Sequence, residues 1–281
     1  MLCDSHVHVV GPIADHPQAA NRTYIADVAP VDTLQRLGIE RGFTRFVIVQ
    51  PSFYGTDNSV TLKALDDLNG NGRGVAVVDP KDVTPEQLAD FHQRGVRGLR
   101  MNLYSPIKAA GSKSLGDSFS AMAHVARDMK WHVQVIAPLG ILLESEDVLA
   151  QSPVPVVIDH YGVYGKSRPE SGEGKRLLGL MHRPHIWMKL SAPYRLDDGP
   201  VSTQPDRAWL SALIDAAPER CIWGSDWPHP PPHEWHKGGD SVTPYRELSY
   251  TELVDNFVAA LPSDKHCMPV LRDNPARLYG F

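Results

Sequence analysis

The stretch Pro155-Val156-Val157-Ile158-Asp159-His160 is a short β-branched run that ends in polar residues. Seven further runs share this pattern, and they are Leu2–His8, Arg45–Gln50, Gly74–Asp79, Val96–Asn102, His132–Ala137, Ile186–Ser191 and Cys221–Asp226. The runs recur about every 31 residues, which fits the roughly 30 residues of one βαβ unit. Several are almost continuously apolar, as strands covered on both faces are.

The segments between these runs carry helix signals. Thr84-Pro85-Glu86-Gln87 is a capping box with proline at the first helical position. Pro205-Asp206 precedes apolar residues at helical spacing. Eight alternating units predict the α/β class and a single (β/α)8 TIM barrel over residues 1–281, with no second domain. A doubly wound open sheet is the alternative.

The composition excludes several classes of partner. The 281 residues include 28 Lys+Arg and 33 Asp+Glu, for a net charge of −5. Nucleic acids and anionic membranes attract clustered positive charge, so we expect neither as a partner. The three cysteines build neither a zinc motif nor a disulfide framework, which favours the cytoplasm. We expect a small-molecule substrate and a monomer or small homo-oligomer.

Histidines and an aspartate end three of the predicted strands. His6 and His8 are two residues apart on the first strand and therefore project to the same face. His160 ends the sixth run and Asp226 ends the eighth. Catalytic groups of a TIM barrel lie at the carboxyl ends of its strands. The four residues therefore predict an acid–base site at the barrel mouth, with metal binding or oxyanion stabilisation as roles for the histidine pair.

Two arginines are candidate anion-binding groups. On the fourth run Leu99 and Met101 are expected to face the helices, which turns Arg100 and Asn102 inward. A guanidinium at the mouth suits a substrate carboxylate or carbonyl oxygen. Arg195 is a second candidate. His229, His233 and His236 lack a metalloprotease spacing and are expected on a loop surface or the pocket rim.

The chain resembles the amidohydrolase superfamily, and within it the 2-pyrone-4,6-dicarboxylate lactonase branch. The matching segments run along most of the chain, and they are Cys3–His8, Val47–Gln50, Gly55–Asn58, Ala76–Pro80, Arg97–Arg100, Ile158–His160, Ile222–Pro230 and Asn274–Tyr279. The motifs of the first and eighth strands are specific for the superfamily. The resemblance implies a (β/α)8 hydrolase of catabolism that acts on a lactone.

The resemblance also implies roles for the site residues. Asp226 would be the general base that deprotonates the attacking water. His6, His8 and His160 would polarise the scissile carbonyl. The residues expected to bind substrate are Arg100, Arg195, Asn102, Gln50 and Tyr161.

The chain departs from the branch at two substrate-binding positions. A tyrosine on the fifth strand and an arginine three residues after the sixth-strand histidine correspond here to Ile136 and Val163. Charge-assisted hydrogen bonds of this kind contribute roughly 1.5–3 kcal/mol each. We therefore expect a lactone with one carboxylate or sugar-acid character rather than the dicarboxylate.

No cofactor is expected to be required. A binuclear centre needs an anionic bridge on the fourth strand, where this chain has Arg100 and Asn102. A single divalent ion such as zinc remains an alternative, with His6, His8 and Asp226 as ligands. Three alternatives to the hydrolase stay open: a zinc-dependent decarboxylase, a lactone isomerase and a non-catalytic binding protein.

Overall fold

The computed structural model describes residues 1–20, 22–104, 115–196, 202–231 and 241–281. Its centre is a sheet of eight parallel strands in sequence order. The strands are β1 (Leu2–Val7), β2 (Phe43–Val49), β3 (Gly72–Ala76), β4 (Val96–Asn102), β5 (His132–Ile136), β6 (Val156–Ile158), β7 (Ile186–Ser191) and β8 (Cys221–Gly224). The first and last strands meet, so the sheet is a nearly closed barrel. The predicted (β/α)8 fold is confirmed.

Helices alternate with the strands. They are α1 (Val31–Ile39), α2 (Ser59–Asp67), α3 (Pro85–Gln93), α4 (Leu115–Met129), α5 (Leu139–Glu144), α6 (Glu146–Ala150), α7 (Gly172–Met181), α8 (Arg207–Ala216), α9 (Tyr250–Ala260) and α10 (Asn274–Tyr279). The capping box at Thr84 forms as predicted, with both reciprocal hydrogen bonds to Gln87. Among the described residues, no helix is long and apolar enough to cross a membrane.

The side chains of each strand alternate between two cores. On β2, Phe46 and Ile48 belong to the large cluster between strands and helices. Val47 and Val49 instead belong to a smaller cluster that Tyr279 of α10 joins. Polar side chains from several strands are also fully buried, which identifies a polar layer within the barrel.

The barrel closes between β1 and β8 at its polar end. The amide of Asp226 donates to the carbonyl oxygen of His6 at 2.9 Å. The amide of Ser225 donates to Asp4 Oδ1, also at 2.9 Å. A Cβ atom on Gly224 would lie 2.6 Å from Cβ of His6, so glycine is needed for this close approach. The seam of the barrel therefore fixes the backbone of the candidate catalytic residues.

Some strands end earlier than the sequence predicts. β6 ends at Ile158 and β8 at Gly224, so His160 and Asp226 follow their strands. Both residues have positive φ angles, 49° and 59°. This left-handed backbone turns the chain sharply and ends strand pairing. Strand β3 is likewise displaced toward the N-terminus and spans Gly72–Ala76.

Candidate active site

A cavity lies beside the carboxyl ends of the strands. The predicted site residues that line it are His8, Arg100, Asn102, His160 and Arg195. The rest of the described wall is mainly apolar or aromatic, and includes Val10, Tyr24, Phe53, Tyr104, Ile136, Pro228, Pro230 and Tyr245. A few converging polar groups on an apolar wall are typical of a small-molecule site.

The two carboxylate oxygens of Asp226 have different surroundings. Oδ2 accepts hydrogen bonds from the Tyr194 hydroxyl at 2.7 Å and from Nε of Arg195 at 2.8 Å. Oδ1 has no hydrogen-bond partner within the described part of the chain. Burial alone would raise the pKa of Asp226, but the Arg195 guanidinium helps to hold it well below its usual range. Asp226 is therefore ionised, with Oδ2 held by Tyr194 and Arg195 and Oδ1 a buried atom without a hydrogen-bond partner in the described residues.

Three imidazole rings surround Oδ1 of Asp226. The Nε2 atoms of His8 and His6 lie 3.4 and 3.5 Å from Oδ1, and that of His160 lies 4.0 Å away. Burial lowers the pKa of all three rings, to about 4 for His160. The fold thus brings the four predicted acid–base residues together, with the three rings neutral near pH 7.

The far side of each ring constrains its protonation. Nδ1 of His8 lies 2.7 Å from the carbonyl oxygen of Val49, which can only accept a hydrogen bond. His8 therefore carries its proton on Nδ1, and Nε2 of the neutral ring is an acceptor. Nδ1 of His160 lies 2.8 Å from the Ser191 hydroxyl. Because a hydroxyl can donate or accept, this contact leaves both tautomers of His160 open.

A second buried layer of polar groups lies behind the histidines. Lys189 Nζ donates to Gln134 Oε1 at 2.6 Å and lies 3.2 Å from His6 Nδ1 and 3.7 Å from Asp159 Oδ1. Gln134 Nε2 donates in turn to Asp159 Oδ2 at 2.9 Å. All four side chains are fully buried. Burial lowers the pKa of Lys189 to about 8, which leaves its side chain an ammonium group at pH 7.

The sequence prediction did not include Gln134, Asp159 or Lys189 as site residues. A signal for two of them was present, because Gln134 and Lys189 are polar residues at inward positions of otherwise apolar strands. Asp159 had no such signal. It precedes His160, and consecutive residues of a continuing strand would face opposite sides of the sheet.

Arg100 points inward, as the strand alternation predicts, while Leu99 and Met101 pack in the outer core. The side chain is buried, and its terminal NH1 donates to the carbonyl oxygen of Gln50 at 2.8 Å. Its Nε has no hydrogen-bond partner among the described residues. Arg100 therefore keeps a buried donor available, whereas Arg195 already uses its Nε on Asp226.

Two predicted substrate contacts do not reach the cavity. The amide of Gln50 is occupied by Thr61, which donates to Oε1, and by the carbonyl oxygens of Gly55 and Asp57. Gln50 therefore holds its loop, and its backbone oxygen holds Arg100. Tyr161 is outside the cavity wall because positive φ angles turn the chain there, and its buried ring lies against Tyr164.

The two positions where the chain departs from the branch lie in different places. Ile136 lines the cavity. Val163 lies outside its wall, has a φ angle of 44° and borders a separate hollow that includes Lys166 and Arg168. Only Ile136 therefore bears directly on the shape of the cavity.

The histidines of the proline-rich loop differ from the prediction in one case. His229 is buried rather than on a loop surface or rim, and its Nδ1 lies 3.4 Å from the Tyr194 hydroxyl. The reason is that its positive φ angle of 67° turns the chain back toward Tyr194. Burial lowers its pKa to about 4. His233 and His236 lie outside the described residues.

Among the described residues, two groups of side chains have donor atoms close enough to hold a metal ion. One consists of His6, His8 and Asp226, and the other of His6, Asp159 and His160. In the first group, His6 Nε2 and Asp226 Oδ1 are buried atoms without hydrogen-bond partners in the described residues. Two imidazoles and a carboxylate are suitable zinc ligands. In the second group, the ammonium of Lys189 already contacts His6 and Asp159.

Comparisons with known proteins agree on one family. A family model described as amidohydrolase matches residues 3–281. The chain is 33% identical over 291 residues to a 4-sulfomuconolactone hydrolase of Rhizobium radiobacter, an alignment that covers 99% of this chain and 89% of the relative. It is 30% identical over 286 residues to a 2-pyrone-4,6-dicarboxylate hydrolase of Comamonas testosteroni, with 98% and 89% covered.

A solved structure agrees with these relatives. It is a probable 2-pyrone-4,6-dicarboxylic acid hydrolase of Acinetobacter baumannii with citric acid bound. The two structures align with a TM-score of 0.80 at 26% identity, over 100% of this chain and 99% of that chain.

Proposed function

The chain belongs to the amidohydrolase family, and from that premise we propose that it hydrolyses a small lactone that carries one carboxylate or has sugar-acid character. The observation that carries the proposal is the position of Asp226 Oδ1, which has no hydrogen-bond partner among the described residues and lies among three imidazole Nε2 atoms. Ester hydrolysis needs a base for water and donors for the developing oxyanion. The relatives named as hydrolases of 4-sulfomuconolactone and 2-pyrone-4,6-dicarboxylate support a lactone as the substrate class.

The attacking water would bind between Asp226 and His8. Oδ1 of Asp226 can accept one proton of the water, and the unprotonated Nε2 of His8, 3.4 Å from Oδ1, can accept a hydrogen bond from the other. The lowered pKa makes the Asp226 carboxylate a weaker base than the carboxylate of a free aspartate side chain. Its effectiveness would come from position, because Arg195 and Tyr194 hold the other oxygen and aim Oδ1.

The lactone carbonyl would be polarised by His6 and His160 together with Arg100. Attack of the water oxygen on the carbonyl carbon moves negative charge to the carbonyl oxygen, where these donors stabilise it. Collapse of the tetrahedral intermediate breaks the ring C–O bond. The proton taken by Asp226 then passes to the leaving oxygen, so the product is a ring-opened hydroxy or keto acid and one water is consumed.

The substrate would be anchored by Arg100, with Arg195 and Asn102 beside it. The unpartnered Nε of Arg100 is a buried donor suited to a carboxylate oxygen. Ile136 gives the opposite kind of contact, an apolar surface for the lactone ring. Among the described residues of the cavity wall, Arg100 and Arg195 carry the positive charge, and that of Arg195 is already neutralised by Asp226. This balance of charge favours a substrate with one carboxylate over a substrate with two.

We propose that no metal is required. The His6, His8 and Asp226 donors fit one zinc ion chemically. A zinc ion bound there would lower the pKa of a bound water and so supply a nucleophile. Against a requirement, the same mouth holds the guanidinium groups of Arg100 and Arg195, which can polarise a carbonyl and disfavour a further cation.

The decisive experiment is a panel of lactones assayed with isotope-labelled water. Hydrolysis incorporates one solvent oxygen into the product acid. An isomerase would move the ester between hydroxyl groups without labelling, and a decarboxylase would release CO2. A panel that includes lactones with no, one and two carboxylates would also locate the substrate class.

We further propose that residues 1–281 form one catalytic domain, which acts in the cytoplasm as a monomer or small homo-oligomer. The family model spans nearly all of the chain, which supports the first part. All three cysteines are free, as a reducing compartment favours.

A further inference from the structure

Lys189 contacts Nδ1 of His6, the ring nitrogen on the side away from Asp226. It projects from β7 into the barrel, where its exposed fraction is 0%. Its Nζ is 2.6 Å from Gln134 Oε1 and 3.2 Å from His6 Nδ1. An ammonium group has three donors and no acceptor. Any hydrogen bond between Lys189 and His6 must therefore run from Nζ to Nδ1.

The competing partner for His6 Nδ1 is Asp159. Its Oδ1 lies 3.4 Å from Nδ1, and a proton on Nδ1 could in principle be donated to it. At 3.4 Å this contact is longer than the 3.2 Å contact between Lys189 Nζ and the same nitrogen. The other oxygen of Asp159 already accepts from Gln134. A proton on Nδ1 would instead face the hydrogens of the nearby ammonium.

We propose that Lys189 is a positioning residue that fixes the tautomer of His6. By donating to Nδ1, Lys189 leaves the single proton of the neutral ring on Nε2, which faces Oδ1 of Asp226 at 3.5 Å. His8 has the opposite tautomer, because its Nδ1 must donate to Val49. The two histidines of the His-Val-His motif therefore have divided roles. His6 donates a hydrogen bond into the site, and His8 accepts one.

This assignment also bears on metal binding. An imidazole nitrogen that carries a proton has no lone pair for an ion, so His6 cannot ligate through Nε2 while Lys189 holds Nδ1. The group of His6, His8 and Asp226 then lacks one of its three ligands. Removing the ammonium frees Nδ1 to hold the proton against Asp159, which turns a lone pair on Nε2 toward the site. Lys189 thereby disfavours zinc in a site whose side chains would otherwise suit it.

The first test determines which ring nitrogen of His6 carries the proton. Nitrogen NMR of ¹⁵N-histidine-labelled wild-type protein distinguishes the two tautomers, and the His6 signals are assigned by their loss in His6→Gln. We expect the proton of His6 on Nε2 and that of His8 on Nδ1. A proton on Nδ1 of wild-type His6 overturns the proposal, and this outcome requires no variant of Lys189 to fold.

The second test measures zinc affinity by calorimetry in Lys189→Met, with thermal unfolding as a check of the fold. The control is Lys63→Met, which removes an exposed lysine paired with Asp67. We expect Lys189→Met to bind zinc about 10- to 100-fold more tightly than wild type, the range over which outer partners of ligands change metal affinity. The control should match wild type. Unchanged zinc affinity and an unchanged His6 tautomer in folded Lys189→Met overturn the proposal.

The inference concerns the site of the proposed reaction, but neither readout needs a substrate. If no lactone is hydrolysed, the proposed function fails while the tautomer and the zinc affinity remain measurable. If lactones are hydrolysed and His6 carries its proton on Nδ1, the positioning role fails alone.

Discussion

Oδ1 of Asp226 lies 3.4 Å from Nε2 of His8, a ring whose proton is on Nδ1, and Oδ1 has no hydrogen-bond partner within the described residues. A carboxylate oxygen and an unprotonated imidazole nitrogen repel at this separation unless a donor lies between them. A water molecule or the substrate can provide that donor. This pair is therefore the point at which the chain is arranged to receive an external molecule.

Asp226→Asn should reduce kcat by about 10²–10⁴-fold, the usual contribution of a general base. The amide keeps the size of the side chain but cannot take a proton from water. Steady-state kinetics on the best lactone of the panel measures the loss, and circular dichroism checks the fold. Tyr194→Phe is the matched comparison, since it removes one charge-assisted hydrogen bond to Oδ2 but keeps the carboxylate, and it should cost no more than about 10- to 100-fold. Wild-type rates in Asp226→Asn would remove this residue from the mechanism.

Arg100→Met should raise KM for a carboxylated lactone by about 10- to 100-fold, because a charge-assisted hydrogen bond contributes roughly 1.5–3 kcal/mol. The effect on an uncharged lactone should be much smaller if Arg100 binds the carboxylate. Equal losses in kcat on both substrates would instead assign Arg100 to the carbonyl oxygen. Arg36→Met, at a side chain that is 70% exposed, serves as the control.

The wild-type protein should hydrolyse 2-pyrone-4,6-dicarboxylate weakly or not at all. Ile136 lines the cavity where the related branch has a tyrosine, so one hydroxyl partner for the second carboxylate is missing. Ile136→Tyr should increase kcat/KM for the dicarboxylate. Val163→Arg is the comparison, and it should have less effect because Val163 lies outside the cavity wall. A wild-type kcat/KM near about 10⁵ M⁻¹s⁻¹ for the dicarboxylate would contradict this substrate assignment.

Purified protein should retain its lactonase activity after chelation and dialysis. The reason is that Arg100, His6 and His160 would supply the positive charge and the donors needed at the carbonyl. Metal analysis by mass spectrometry accompanies the assay. Stoichiometric zinc, with activity lost on its removal and restored on its return, would contradict the metal-free mechanism and favour the decarboxylase alternative.

Stability should fall as the pH drops below about 6.5, in part through His132. Burial lowers the pKa of His132 from 6.5 to about 3. Between these values the unfolded chain binds a proton that the folded chain does not, so the free energy of unfolding decreases with decreasing pH. From pH 7 to pH 5 the loss from this residue is about 2 kcal/mol.

Urea unfolding of His132→Leu at the two pH values checks this expectation. The variant should show a smaller decrease by about that amount. His124→Leu is the control, because the side chain of His124 is 68% exposed. A pH dependence in His132→Leu equal to that of wild type would exclude His132 as a contributor.

The sequence predicts the strand bounds correctly where strand pairing continues as far as the polar residues. β4 and β7 have the predicted bounds, Val96–Asn102 and Ile186–Ser191. The pattern was less informative at Asp159 and His160, where the strand has ended. Asp159 is still extended, and the left-handed backbone that begins at His160 brings the His160 side chain to the same cluster around His6, which strand alternation cannot predict.

Two further predicted site residues, Gln50 and Tyr161, lie outside the cavity wall for a similarly local reason. Gln50 and Tyr161 follow strands as catalytic residues do, and the sequence prediction named both as substrate-binding residues. Their side chains are used by local structure instead, Gln50 by loop carbonyl oxygens and Tyr161 by the packing against Tyr164. The tautomers of His6 and His8 could not be predicted from the sequence either, because their partners Lys189 and Val49 lie on other strands.

The seam between β1 and β8 gives the protein a late onset of activity during its synthesis. The hydrogen bond from Ser225 to Asp4 joins residues 221 positions apart in the chain. At translation rates of about 5–20 residues per second, the strand that carries His6 and His8 waits roughly 10–40 s for the segment that carries Asp226. A ribosome-bound chain that stops short of this segment has His6 and His8 but lacks Asp226, the proposed base. Turnover would then report that the barrel has closed.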